Sequence, residues 1–247
     1  MSVIVKKDKG SLHPLTQVIT EIVDILAEMG FVVAQGPEIE EEFYNCDALN
    51  TVADHPSRDM QDTFWLNPLS LKKLLRTHTS SVQVRYMEKN KPPFKIMAPG
   101  RVYRNENTDA THEAQFYQIE GLLIDKEVSL AQLKGVLMEF SHKLFGPDTG
   151  IRLRPSYFAF VEPGLEVDVS CFICKGQGCS LCKGTGWIEI LGAGLVHPFV
   201  LRAGGLDSDK WQGLAFGLGI DRITMLKYGL SDIRDLYNGD LRFINQF

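Results

Sequence analysis

The sequence has no apolar run long enough to cross a bilayer. Its first residues, Met1-Ser-Val-Ile-Val-Lys-Lys-Asp-Lys-Gly10, carry no apolar stretch of the signal-peptide kind. A cytoplasmic protein with no membrane partner is therefore expected. Positive charge is also short: 26 Lys and Arg stand against 31 Asp and Glu, a net charge of −5. Bulk electrostatics supply no affinity for nucleic acid, so any polynucleotide partner needs a local patch or another subunit. Cysteine is scarce, five in 247 residues, yet four of the five fall between positions 171 and 182. In a reducing compartment that clustering points to a metal before disulfides. The glycine-rich stretch Gly213–Gly219 is followed by no Lys-Ser/Thr pair and sits in no strand–helix–strand unit with an acidic ribose binder, which excludes both common nucleotide-binding glycine loops.

What is present suits one large domain with a real core: 247 residues, 44% hydrophobic and 23% charged. Residues 1–10 read as a flexible lead-in. Pro14 suits a first helical turn, and Leu15, Val18, Ile19, Ile22, Leu26 and Met29 recur at helical spacing before a stop at Gly30. A strand over 31–40 breaks at Gly36-Pro37, and 41–65 is irregular and polar, a loop length that is more often functional than idle. A helix starts near Ser80, whose hydroxyl either caps it or joins the fresh N–H groups in holding a polar ligand. Ser129 caps an amphipathic helix through Leu130, Leu133, Leu137, Phe140 and Leu144, with Gly146 after it. Antiparallel hairpins between flanking helices predict an α+β fold with a mainly antiparallel sheet.

The chemistry concentrates between Gly100 and Gly121, read as strand, polar loop and strand. Residues two apart in a strand share a face, so Arg104 and Glu106 point one way, as do Phe116, Gln118 and Glu120. A short strand at Phe94–Ala98 leads in and another near Gly121–Asp125 follows. A salt-bridged, solvent-facing hairpin is the plain alternative. Further on, Phe158, Phe160 and Glu162 fall on one strand face: two aromatics with an acid at the lip of a pocket, or core plus an edge charge. Arg222 begins a helix after the glycine-rich strand. Two guanidiniums converging on one site suit a polyphosphate, and carboxylates such as Glu162 or Glu189 suit a Mg²⁺ shared with it.

These residues together resemble the class II aminoacyl-tRNA synthetases, and most closely the catalytic core of the bacterial phenylalanine enzyme's alpha subunit. Residues 14–40 are similar to class II motif 1, Arg104-Asn-Glu106 through Phe116-Tyr-Gln118-Ile-Glu120-Gly121 to motif 2, and Phe216-Gly-Leu-Gly219-Ile-Asp-Arg222 to motif 3. Arg76-Thr-His78-Thr-Ser80, Pro155-Ser-Tyr-Phe158-Ala-Phe160-Val-Glu-Pro163 and the Leu-Tyr-Asn-Gly-Asp-Leu-Arg-Phe string near the end resemble the phenylalanine enzyme specifically. The resemblance implies activation of L-phenylalanine by ATP with Mg²⁺ and transfer to tRNA(Phe) together with a beta subunit, in an alpha2beta2 assembly. It implies that Arg104 and Arg222 are catalytic and hold ATP with Glu106, His112 and Phe116. His78, Ser80, Gln118, Glu120, Phe158, Phe160 and Ala215 would bind the amino acid, with Ala215 as pocket floor, and Glu162 would hold Mg²⁺ jointly with the beta subunit. Residues 11–247 would form the catalytic domain. The family's amino-terminal tRNA-binding arm is not expected in this chain, and the isolated chain would form a homodimer if its motif 1 surface lacked a partner.

Cys171-Phe-Ile-Cys174-Lys-Gly-Gln-Gly-Cys179-Ser-Leu-Cys182-Lys-Gly-Thr-Gly186 repeats Cys-x2-Cys-x-Gly-x-Gly twice within a hairpin insertion over 170–186. Four thiolates suit tetrahedral Zn²⁺ in a structural role, and the glycines permit the tight turns. A reduced loop of free thiols is the alternative; the string also resembles the zinc repeats of DnaJ-type chaperones. Two other functional readings remain at this level. One is a class II paralogue that binds amino acid or adenylate without charging tRNA. The other is a zinc-dependent interaction module with the cysteine hairpin as its working surface.

Overall fold

The computed structural model describes residues 10–51 and 63–247. The residues of the expected lead-in before Gly10, and His55, Pro56, Arg58 and Asp59 of the polar stretch, lie outside the described residues. The first periodic stretch forms helix α1 (Pro14–Glu28), with Leu15, Val18, Ile22, Ile25 and Leu26 buried. His13 Nδ1 accepts the Leu15 N–H at 3.2 Å, and Gly30 follows the helix at φ +86°. The strand expected over 31–40 is divided into two pieces that join different sheets. Val32–Val33 (β1) lies at the edge of the main sheet, whereas Ile39–Glu41 (β2) pairs with Lys73–Leu75 (β3) in a small separate one. The cause sits at the break. Pro37 offers no ladder donor, and Arg76 Nη1 takes the Gly36 and Pro37 carbonyls at 3.1 and 3.4 Å. The 41–65 stretch, read as irregular, starts with helical turns at Glu42–Asn45 (α2) and Asp47–Leu49.

Strands β4 (Phe94–Tyr103) and β5 (Gln115–Asp125) pair without a break from Phe94↔Ile124 to Tyr103↔Gln115. The short strand, hairpin and following strand read from the sequence are thus one long hairpin. The main sheet has seven strands in the order β1-β4-β5-β9-β8-β7-β6, with β6 at Ile151–Phe158, β7 at Val161–Ser170, β8 at Trp187–Val196 and β9 at Gln212–Gly219. All of its pairs are antiparallel except β1 with β4, as the mainly antiparallel α+β reading requires.

The two sheet faces differ. Ile119 and Leu123 of β5 join the larger core with α1, α4 (Leu130–Phe145) and α6 (Ile220–Tyr228). Leu122 and Ile124, on the other face, join a smaller cluster with α3 (Ser81–Met87) and α5 (Pro198–Ala203), which covers only one end. The rest of that face is open to polar side chains. No helix among the described residues is long and apolar enough to cross a membrane.

Phe216 locks the larger core to the sheet. Its ring meets Phe31 edge-on at 5.8 Å and Phe140 at 6.3 Å, and it lies where a Cβ on Gly121 would stand, 2.2 Å from its Cζ. Gly121→Ala is expected to destabilise the chain by about 1–3 kcal/mol through overpacking. Phe216→Leu should recover part of that loss in the double variant, so a denaturant double-mutant cycle should show favourable coupling; strict additivity would refute the contact.

Candidate active site

Strand alternation and register gather Phe116, Gln118 and Glu120 of β5, Ala215, Gly217 and Gly219 of β9, and Gly192 of β8 on the open face. Glu120 is its buried centre. The carboxylate accepts hydrogen bonds from Ser80 Oγ, Gln83 Nε2 and Gln118 Nε2, each at 2.8 Å. Burial pushes the Glu120 carboxyl above the ordinary carboxylate range, and the Ser80 and Gln83 bonds pull it back. Ser80 stands at the start of α3, but its side chain does not cap the helix; the capping alternative gives way because the hydroxyl is spent on Glu120. Gln83 was not singled out in the sequence, although its i+3 spacing from Ser80 was the available signal. Gly217 is needed for close approach, since a Cβ there would lie 2.8 Å from Glu120 Cγ.

His78 is buried, and burial, reinforced by the cationic charge of Arg104, pushes its imidazole down to about 3. It is neutral at physiological pH. Its Nδ1 and the Gln118 Oε1 are buried acceptors without a partner among the described residues. Acceptors beside a carboxylate call for a donor-rich cation, which an ammonium group supplies.

Arg104 follows β4 directly. Its backbone N–H donates to Ala114 at 2.9 Å, its Nε donates to the Thr77 carbonyl at 3.3 Å, and its guanidinium carbon stands 5.0 Å from the Phe116 ring centroid. Glu106 is half-buried in the next loop. His112 is exposed there, with Nδ1 3.0 Å from the Asp109 carboxylate. Arg222 is exposed on the first turn of α6 and donates from Nε to the Glu189 carbonyl at 3.3 Å. Gly219 pairs with Gln118, so Arg222 leaves the sheet beside the end of β5 that carries Phe116. The salt-bridged hairpin alternative does not match this arrangement at its centre: Arg104 contacts a carbonyl and a ring, and Glu120 is buried.

The Phe158–Phe160–Glu162 reading needs correction. Residues 159 and 160 form the turn between β6 and β7, so the three do not share one strand face. The rings still meet, 5.9 Å apart and 27° from parallel, and Phe160 lies 6.3 Å from His78. Ala215 is buried in the same cluster, between Leu122 and Gly194 in register. Glu162 is 76% exposed and sits 3.3 Å from His197 Nε2. The Glu189 backbone carbonyl lies beside Arg222, whereas its carboxylate accepts from Arg154 Nη2 at 2.9 Å.

The four clustered cysteines place their Sγ atoms within 4.8 Å of one another. Cys171–Cys179, Cys174–Cys182 and Cys179–Cys182 are 3.7, 3.8 and 3.7 Å apart. Tetrahedral Zn–S bonds of about 2.3 Å give S···S edges of about 3.8 Å, so the donor set fits zinc. The backbone N–H groups of Gly178, Cys179 and Gly186 donate to sulfur. Gly176, Gly178, Gly184 and Gly186 all have positive φ, as two tight knuckles require. Phe172 stacks on Phe145 of α4 at 5.4 Å and docks the insertion on the domain.

A second residue of the site also escaped the sequence reading. Asp221 is buried at the start of α6, where Oδ2 accepts the Tyr117 N–H at 2.7 Å and Oδ1 accepts the Tyr237 hydroxyl. It ties β5, next to Phe116, to α6, next to Arg222, and burial pushes its carboxyl up to about 6.

Residues 2–247 match the family described as tRNA synthetases class II core domain (F). The phenylalanine--tRNA ligase alpha subunit of Anoxybacillus flavithermus is 57% identical over 241 residues, covering 97% of this chain and 69% of that protein. The subunit of the same name from Bacillus mycoides is 57% identical over 242 residues, 97% of this chain and 70% of that protein. The crystal structure of pyrrolysyl-tRNA synthetase from Desulfitobacterium hafniense superposes with a TM-score of 0.66 at 19% identity, covering 91% of this chain and 73% of that one, and shares the fold.

The raised Asp221 value has a definite sign. Between its ordinary value of 3.8 and about 6 the folded chain holds a proton that the unfolded chain has lost, so this group's contribution to stability is present at low pH and lost as pH rises through about 6. Asp221→Asn removes that titration. Denaturation midpoints of the original chain should therefore fall relative to those of the variant between about pH 4 and about pH 6; parallel curves would refute the assignment.

Proposed function

The chain belongs to the class II tRNA synthetase core family, and from that membership we propose that it activates L-phenylalanine with ATP and, with a beta subunit, transfers it to tRNA(Phe). The observation that carries the reading is the buried acceptor set of Glu120, Gln118 Oε1 and His78 Nδ1 beside Arg104. An amino acid brings an ammonium for the first and a carboxylate, next to ATP, for the second. The relatives named phenylalanine--tRNA ligase favour charging over the paralogue that stops at the adenylate.

In this reading Ser80, Gln118 and Glu120 hold the ammonium with His78 beside them, Phe158 and Phe160 pack on the phenyl ring, and Ala215 is the pocket floor. Aromatic rings favour such offset and edge contacts. Adenine stacks on Phe116 with Glu106 at its amino group, Arg104 holds the α-phosphate, His112 nears the outer phosphates, and Arg222 binds the γ-phosphate. A carboxylate oxygen of phenylalanine forms a bond to the α-phosphorus, the bond to the bridging oxygen breaks, and pyrophosphate leaves with that electron pair. Charge building on the phosphoryl oxygens is met by Arg104, already in place. No enzyme nucleophile is required.

Mg²⁺, when bound, would neutralise phosphate charge. Glu162 is open enough to be shared with the beta subunit. The hairpin cysteines would hold a structural Zn²⁺. Residues 11–247 would act as one catalytic domain with 170–186 as its insertion, in a cytoplasmic alpha2beta2 enzyme.

Phenylalanine-dependent ATP–pyrophosphate exchange, measured with the beta subunit present, tests the assignment; exchange indifferent to phenylalanine sinks it. Arg104→Ala should slow exchange by about 10²-fold or more while leaving the melting midpoint nearly unchanged. Ala215→Val should raise KM for phenylalanine by about tenfold or more and leave KM for ATP alone, because overfilling a packed floor costs about 1–3 kcal/mol.

A further inference from the structure

The β6–β7–β8 wing of the open face carries a charged assembly that the proposed chemistry does not use. At its centre is Asp168, with its side chain 2% exposed. Arg152 donates from Nε and Nη2 to Asp168 Oδ2 at 2.8 and 2.6 Å. Arg154 donates from Nε to Oδ2 at 2.8 Å and from Nη2 to Oδ1 at 2.9 Å. The second arginine continues outward: Nη1 meets Glu166 at 2.8 Å, and Nη2 also reaches Glu189 Oε2 at 2.9 Å.

Both ends of this assembly are attached to something of consequence. At one end the Arg152 guanidinium lies 4.8 Å over the Trp187 ring. Trp187 follows the cysteine insertion directly and pairs with Ser170, while the Cys171 N–H donates to the Gly186 carbonyl at 2.8 Å. At the other end the Glu189 carbonyl accepts the Arg222 Nε. A register shift makes the connection. Val167 pairs with Leu191, but Asp168 pairs with Glu189, so one extra residue bulges on β8. Ile188 and Ile190 both enter the core, and Glu189 is turned onto the face of Asp168. Strict alternation from Gly192 would have put Glu189 on the opposite side.

A buried carboxylate gripped by two planar guanidinium forks has little freedom, because each fork fixes direction as well as distance. Resting on the reading of Arg222 as an ATP ligand, we infer that Asp168 is a positioning residue that holds Arg222 for ATP through Arg154 and Glu189, with the metal-binding cysteine hairpin anchoring the far end of the relay. An ordinary salt-bridged sheet wing would affect stability and both substrates alike. The relay is selective, because it ends at Arg222, whereas Phe158 and Phe160 sit at the opposite end of β6 and β7.

The test uses the chain assembled with its beta subunit. Asp168→Asn keeps the shape and removes the charge. It should weaken ATP, by KM and by calorimetric binding, about tenfold, the effect of losing a charged hydrogen bond. Phenylalanine affinity should stay within about twofold and zinc content should be unchanged. Cys182→Ser should lose zinc and show the same selective weakening of ATP, and the double variant should be no worse than the weaker single, since both act on one relay. Equal losses for ATP and phenylalanine in Asp168→Asn, or unchanged ATP affinity, overturn the relay. So does loss of zinc from Cys182→Ser without any effect on ATP. Arg222→Ala, run alongside, separates the two readings. If it weakens ATP while Asp168→Asn does not, the relay alone falls. If neither variant weakens ATP, the reading of Arg222 falls with it.

Discussion

The buried carboxylate of Glu120 is the constraint on which the site depends. An ionised carboxylate away from water is costly unless hydrogen bonds replace its hydration. Its donors come from two pieces of chain: Ser80 and Gln83 at the start of α3, and Gln118 on its own strand. A third piece, Gly217 on β9, gives the space by having no side chain. Satisfying this one group therefore sets where α3 sits over the sheet and the register in which β5 meets β9. Once those are set, Phe116 and Arg104 follow on the same face, and the site is formed before any substrate arrives.

The same physical pattern recurs at the other joints of the domain. Arg76 is a buried guanidinium solvated by carbonyls from Gly36, Pro37 and Arg101, so a cation joins the first strand region to β4. Asp221 joins β5 to α6 and to Tyr237. Asp168 joins β6 to β7 and, through Arg154, to β8. Each of these groups takes partners from another element. Packing alone tolerates small slips, whereas a buried charge with directional partners does not. That rigidity is what positioning and electrostatic catalysis require, since neither involves a covalent step on the enzyme.

Much of this was legible along the chain. Helical spacing announced α1 and α4, and period-two alternation put Phe116, Gln118 and Glu120 on one face. The doubled Cys-x2-Cys-x-Gly-x-Gly string announced a four-sulfur cluster. Other features were not legible, for a common reason. The division at Gly36-Pro37, the use of the Ser80 hydroxyl and the roles of Asp168 and Asp221 depend on partners tens of residues away in the sequence, such as Arg76, Glu120 and Tyr117. The turn at Ala159-Phe160 and the bulge near Ile190 escaped because period-two reading assumes a straight strand.

Sequence alone therefore determined the local conformations, the alternation of faces, the cysteine knuckles and the inventory of charged groups, because backbone sterics and side-chain period act between near neighbours. Tertiary structure alone decided which charges became buried, which hydroxyl became a donor to a carboxylate, and which arginine was tied to which strand. Those outcomes depend on desolvation and on directional bonds between distant segments, and neither exists until the segments meet.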